Sequence, residues 1–215
     1  FGVSAPLAKL LLGSVEPIPL AALLYLGAGL GLVSYIIWAR VFTTSERSEA
    51  GLDRGDLPWL AAAILAGGVV APILLLYGLR ATPAATTALL LNFEVVATGV
   101  IAALLFREFI GRWTWVAIAA VTTGSILLTL NLSGRWGIST GALLVAAACL
   151  MWGLDNNLTR QISLKDPKRI VAIKGLVAGG FSAALALALG RPFPGVRYIL
   201  LGLLLGSVSY GISIV

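Results

Sequence analysis

Glu94 is the one full charge in the apolar run 84–106, AATTALLLNFEVVATGVIAALLF. A helix of that length rises ~35 Å, enough to cross a hydrocarbon core of ~30 Å with some tilt. A carboxylate near the middle of such a span costs roughly +2.5 to +3.5 kcal/mol on insertion scales. It must therefore face the interior of a bundle, hold a proton or meet a partner. Two chemistries suit it: accepting a proton, or binding a substrate. At about 100° per residue, Thr87, Glu94 and Thr98 fall on one helical face, so the spacing predicts a polar stripe lining a central cavity. The competing reading is a structural Glu, protonated or hydrogen-bonded. Asn92 lies ~200° around the same helix from Glu94 and is expected to hydrogen-bond a neighbouring helix.

The densest polar cluster is Asp155-Asn156-Asn157, near the end of another apolar run. Lys174 follows a short link, at a similar depth in the next run. A short link makes the two helices antiparallel neighbours. Asp155 and Lys174 are thus expected to pair within about 4 Å and, with Asn156, to form a substrate or gate site near one mouth of the bundle. The competing reading has both side chains reaching out to the surface. Tyr25, Tyr35, Trp38 and Trp152 are candidate cavity walls, against the commoner use of such rings in packing and at interfaces. Lys9 is expected to extend to the membrane surface. Gly27, Gly29, Gly31, the Gly67-Gly68 pair and the Gly179-Gly180 pair suit close helix approach or bending.

The chain has no His and a single Cys, so imidazole chemistry, a metal cluster and an internal disulfide all lack the residues they need. No nucleophile–base pair is visible. We expect no catalytic residue, no metal and no cofactor, and a protein that is not an enzyme.

The rest of the sequence must hold these groups in a membrane. Apolar residues make up 59% and charged residues 11%, with a mean hydropathy of +1.00. A soluble domain carries about 25% charge. This is an all-α, polytopic bundle, with helices expected at 1–13, 19–42, 59–78, 84–106, 113–130, 138–158, 170–189 and from 196 onward. The run 190–195, GRPFPG, is the strongest breaker. The chain begins at Phe1 inside an apolar stretch and stops at Val215 inside another, and we read it as a fragment truncated at both ends.

The net charge of +6 sits in the links, so it implies a lipid bilayer and no nucleic acid. Arg40, Arg47, Arg54, Arg107, Arg112, Arg160, Lys165, Lys168 and Arg169 fall on one side. Arg80, Arg135, Arg191 and Arg197 fall on the other. The positive-inside rule makes the richer side cytoplasmic, and the expected location is the inner membrane of a cell. Trp59, Trp113 and Trp136 at helix ends fit an interfacial belt.

An internal repeat is the second strong signal. GVSAPLAKLLLGSVEPIPLAALLYLGAG, from Gly2, aligns with GLDNNLTRQISLKDPKRIVAIKGLVAGG, from Gly153. Lys9 matches Arg160, Glu16-Pro17 matches Asp166-Pro167, and AGGVVAPILLL matches LGSVSYGISIV. The units are 1–131, with five helices, and 136–215, with three. An odd-numbered unit inserts its second copy upside down, as inverted-repeat transporters do.

LLLNFEVVATGVIAALLFREFIGRW, followed by WVAIAAVTTGSILL, resembles the fourth and fifth helices of EamA-type carriers of the drug/metabolite transporter superfamily. An N-x-E-like run is followed there by a short apolar span, a surface Glu (here Glu108) and a Gly-containing fifth helix. Where members often carry Pro after the mid-helix Glu, this chain has Val95. The resemblance implies a ten-helix carrier for a small-molecule substrate such as an amino acid, an amine or a drug-like molecule, working by alternating access with proton coupling as an option. It leaves the substrate open. A second copy of the chain is kept as a candidate partner in a homodimer. Two alternatives remain: a seven-helix photoreceptor with retinal on Lys174, and a membrane protein without transport activity. The photoreceptor is disfavoured because the helix expected at 59–78 has no carboxylate to serve as counter-ion.

Overall fold

The computed structural model describes residues 4–42, 50–129 and 139–211. The repeat boundary at 131–136, Arg47, Arg135 and Trp136 lie outside the described residues.

The chain folds as α1 (Ser4–Leu11), α2 (Pro17–Phe42), α3 (Leu57–Ala63), α4 (Ala71–Ala81), α5 (Ala84–Leu90), α6 (Phe93–Leu104), α7 (Arg112–Thr129), α8 (Thr140–Arg160), α9 (Pro167–Ala188) and α10 (Val196–Gly206). Among the described residues, five stretches are long and apolar enough to cross a membrane: Pro17–Ala39, Arg54–Ala81, Ala84–Leu104, Thr140–Arg160 and Pro167–Ala188. The shorter Val196–Ser209 is also apolar.

Helix starts follow local chemistry. Pro17 and Pro167 open α2 and α9, where a missing N–H costs nothing. The Asp166 carboxylate accepts from the N–H groups of Lys168 (3.0 Å) and Arg169 (3.3 Å), and Ser139 caps α8 through the Ala142 N–H.

Two expected helices are not regular. The stretch 59–78 widens into a π-helix at Ile64–Val70 between α3 and α4. Pro72 supplies the reason: it has no N–H, and its ring crowds the carbonyl four residues back. The Ala71 N–H bonds the Ala66 carbonyl, five residues back, and so carries the wider register. The span 84–106, expected as one helix, is broken between α5 and α6. There the Asn92 side chain donates to its own chain at Leu89 O (3.0 Å) instead of to a neighbouring helix. The Cys149 sulfhydryl faces Leu90 O at 3.6 Å and Leu91 O at 3.9 Å across the break.

Helix α2 is central. It runs antiparallel to α9, with Gly29 against Gly175 and Gly179 against Leu26. It runs parallel to α10, where Gly27 meets the Leu203 backbone and Gly206 meets Leu24. Gly78 meets Gly141 between α4 and α8, and Gly153 brings α8 onto the α6 backbone at Thr98. Without a solvent-driven hydrophobic force between helices in lipid, such close backbone approach is how spans gain contact. Helix α7 lies at the edge, with much of its surface exposed.

Polar links sort to two ends. At one, Glu16 pairs with Arg191 (3.2 Å), and the Lys9 ammonium donates to Leu79 O, Arg80 O (3.1 Å) and Thr82 O (3.0 Å). Lys9 was expected at the surface. It caps the C-terminal carbonyls of α4 because those orphan acceptors lie within reach of α1. At the other end, Lys165 pairs with Asp53 (2.6 Å) and Asp56 (3.3 Å), Glu108 pairs with Arg160, and the Asp166 N–H bonds Ala50 O.

Candidate functional site

A cavity of about 350 Å³ lies between α2, α6, α8 and α9. Glu94 enters it from α6 and Lys174 from α9. Helix α8 contributes most of its polar wall, through Asp155, Asn156 and Thr159. Tyr25 and Trp152 add the aromatic wall.

Glu94 is in the first turn of α6, one residue past Phe93 and directly after the helix break. The Asn156 side chain donates to Glu94 Oε1 (3.0 Å) and to Thr98 Oγ1 (3.1 Å). The Thr98 hydroxyl in turn donates back to Glu94 O (2.9 Å). The neighbouring Asn157 is buried, and its amide ties Thr98 O (3.0 Å) to Gly153 O (2.8 Å). Two consecutive asparagines on α8 therefore hold the α6 turn that presents Glu94. Among the described residues no Lys or Arg pairs with its carboxylate.

Asp155 and Lys174 are partners, with Nζ 2.5 Å from Oδ1. Their side chains are only 10% and 14% exposed, so the pair is largely removed from surroundings that would screen it. Thr159, one turn beyond Asp155, donates to the same Oδ1 (2.9 Å) and accepts from Lys174 (3.2 Å). The result is a closed triad of acid, base and hydroxyl.

The aromatic wall hangs on one carbonyl. In the π register Gly67 O would accept from residue 72, but Pro72 has no N–H to give. Tyr25 OH (2.6 Å) and Trp152 Nε1 (3.0 Å) both donate to this oxygen instead. The same Gly67 lies so close to Asp155 that a Cβ there would overlap the carboxylate. One irregular turn thus fixes both aromatic rings and backs the ion pair.

The structure brings together Glu94, Thr98, Asp155, Asn156, Lys174, Tyr25 and Trp152. It leaves Thr87, Tyr35 and Trp38 apart. Thr87 is fully buried, with its hydroxyl donating to Pro83 O (3.1 Å) on the far side of the helix break from Glu94. Tyr35 and Trp38 lie further along α2, with ring centres 6.3 Å apart and Trp38 stacked toward Phe42. Lys168 sits over the Tyr35 ring at 5.3 Å. Sequence reasoning singled out Asn157 within the polar cluster and Gly67 as a point of close approach, but missed the role of Thr159 and of Pro72 in the turn. The spacing of Thr159 from Asp155 (i, i+4) and the Pro inside an apolar run were the available signals.

Apolar spans around a charged, half-open cavity define an integral, multi-pass membrane protein. The chain belongs to the EamA-like transporter family, whose model matches residues 1–130. It is 33% identical over 201 residues to an uncharacterized transporter of Methanothermobacter thermautotrophicus (strain Delta H), across 88% of this chain and 59% of that protein. The chain thus spans about 59% of the length of the curated relative it matches. One crystal structure of another protein superposes with a TM-score of 0.65 over 99% of this chain and 75% of that one, at 19% identity, a likeness of fold.

Proposed function

We propose that this chain forms much of a secondary transporter that moves a small metabolite across the cell's inner membrane by alternating access. The observation that carries the reading is Glu94 in the wall of a half-open cavity, with no cationic partner among the described residues and next to a buried Asp155–Lys174 pair. Substrate occupies the cavity, and Glu94 takes up and releases the coupling proton. Asp155, Lys174 and Thr159 form the gate beside it. The units 1–131 and 136–215 act as inverted repeats. Their equivalent prolines, Pro17 and Pro167, each open a helix of the antiparallel α2–α9 pair, and each unit holds a π-helical turn, Ile64–Val70 and Ser207–Gly211. Membership of the EamA-like family supports this reading over the retinal photoreceptor.

The test is uptake of a metabolite panel by the full-length protein in vesicles. Glu94→Gln keeps size and hydrogen bonding but cannot titrate. It should insert and fold, lose transport driven by a pH gradient, and keep some exchange between substrate pools. A Gln variant that responds to the gradient as the parent does makes Glu94 a structural residue.

A further inference from the structure

We infer that the ligand of this cavity is a monocationic organic amine with an apolar body, a conclusion that rests on the cavity being the substrate site. The charges on its wall are Glu94, Asp155 and Lys174. Lys174 is matched by Asp155 at 2.5 Å, and Thr159 takes a further donor at 3.2 Å. A substrate carboxylate seeking Lys174 would have to displace Asp155 and leave that acid buried and unpaired, which is strongly unfavourable. The Glu94 carboxylate is in the opposite situation. Its Oε1 accepts one neutral amide hydrogen bond, from Asn156. No other hydrogen bond to that carboxylate and no cation beside it is found among the described residues.

With the pair neutral as a unit, Glu94 in its ionised form would give the wall one uncompensated negative charge. An ammonium at Glu94 would cancel it and form a charge-assisted hydrogen bond. The cavity suits the rest of such a molecule too. Tyr25 and Trp152 have their polar atoms committed to Gly67 O, so what they contribute to a ligand is aromatic surface. Ala28 and Val171 extend that apolar lining. About 350 Å³ of half-open cavity accommodates a one-ring amine. Three cations at the adjoining end are engaged: Arg160 with Glu108, Lys165 with Asp53 and Asp56, and Arg169 with Asp166.

The test is a series of matched shape and different charge, titrated by calorimetry into the purified full-length protein. Phenethylamine is the cation, phenylalanine the zwitterion and 3-phenylpropionate the anion. Phenethylamine should bind at least about tenfold more tightly than either, and Glu94→Gln should weaken it by about tenfold or more. A melting curve and gel filtration establish that the variant is folded. The charge series on the parent protein decides the matter even if the variant is not. Equal or tighter binding of phenylalanine or 3-phenylpropionate overturns the inference, as does binding of none of the three or full binding by folded Glu94→Gln. Vesicle counterflow separates this from the transport reading. Phenethylamine that binds but does not exchange defeats transport and leaves the ligand class. Transport that favours a zwitterion or an anion does the reverse.

Discussion

Asp155 and Lys174, 19 residues apart on consecutive antiparallel helices, meet with Nζ 2.5 Å from Oδ1 and share the Thr159 hydroxyl. Removing either partner strands a buried charge, and that costs more than removing both. Asp155→Asn and Lys174→Met alone should each destabilise the protein by about 3 kcal/mol, with the double variant costing less than either. Thermal denaturation in detergent measures this, and simple additivity of the singles would dismiss the coupling.

Gly67 and Gly180 offer a contrast within one residue type. A Cβ at Gly67 would overlap the Asp155 carboxylate, while a Cβ at Gly180 meets none of the described residues within 4 Å. Gly67→Ala should lower the melting temperature and disturb ligand binding. Gly180→Ala should be neutral, or gain up to about 1 kcal/mol from helix propensity. Similar melting temperatures for the two variants would show that α3–α4 does not approach α8 this closely.

Pro72 should control the aromatic wall through Gly67 O. Tyr25→Phe removes one donor from that oxygen and should cost about 1 kcal/mol. In a Pro72→Ala background the residue 72 N–H is restored as a competing donor, so the same Tyr25→Phe change should cost clearly less. Equal costs in the two backgrounds, measured as a double-mutant cycle of thermal stability, would separate the proline from the ring.

Lys9 should matter as a cap. Lys9→Met leaves the carbonyls of Leu79, Arg80 and Thr82 without their donor, at a cost of about 1–3 kcal/mol. Lys9→Arg should recover part of that. A fully stable Met variant would return Lys9 to the role of a side chain that merely reaches the surface.

Lys165 fixes a pH dependence at the other end. Its hydrogen bond to Asp53, and then that to Asp56, hold its ammonium above the ordinary lysine range, which centres near 10.5. A raised folded value means the link stabilises fully below the unfolded value and is lost as pH rises through the folded one. Hydrogen exchange in 50–56 and 161–166 should therefore accelerate as pH climbs above about 10.5, beyond the intrinsic rate. Lys165→Met should show that faster exchange already at neutral pH. An unchanged Met variant would count against the link.

The sequence by itself determined that this is a helical membrane protein, and it placed most of the spans. Composition and the length of apolar runs act locally, and lipid demands that each span satisfy its own backbone hydrogen bonds. The Asp155–Lys174 contact was legible for the same reason, since a short link between two spans leaves little choice of neighbour.

What only the tertiary structure decided are contacts between distant segments and departures from ideal helices. Thr87 follows the 100° rule from Glu94 until the chain breaks at Leu91–Asn92, where Asn92 turns to Leu89 O and Cys149 of α8 faces Leu90 O. The residue types of Tyr25, Trp152, Tyr35 and Trp38 did not tell cavity from helix end. The first two were selected by one unbonded carbonyl at Gly67, 42 and 85 residues away in sequence. Periodicity reports which residues share a face of a regular helix. It cannot report which distant donor will find an orphan acceptor, because that is fixed only when the helices pack.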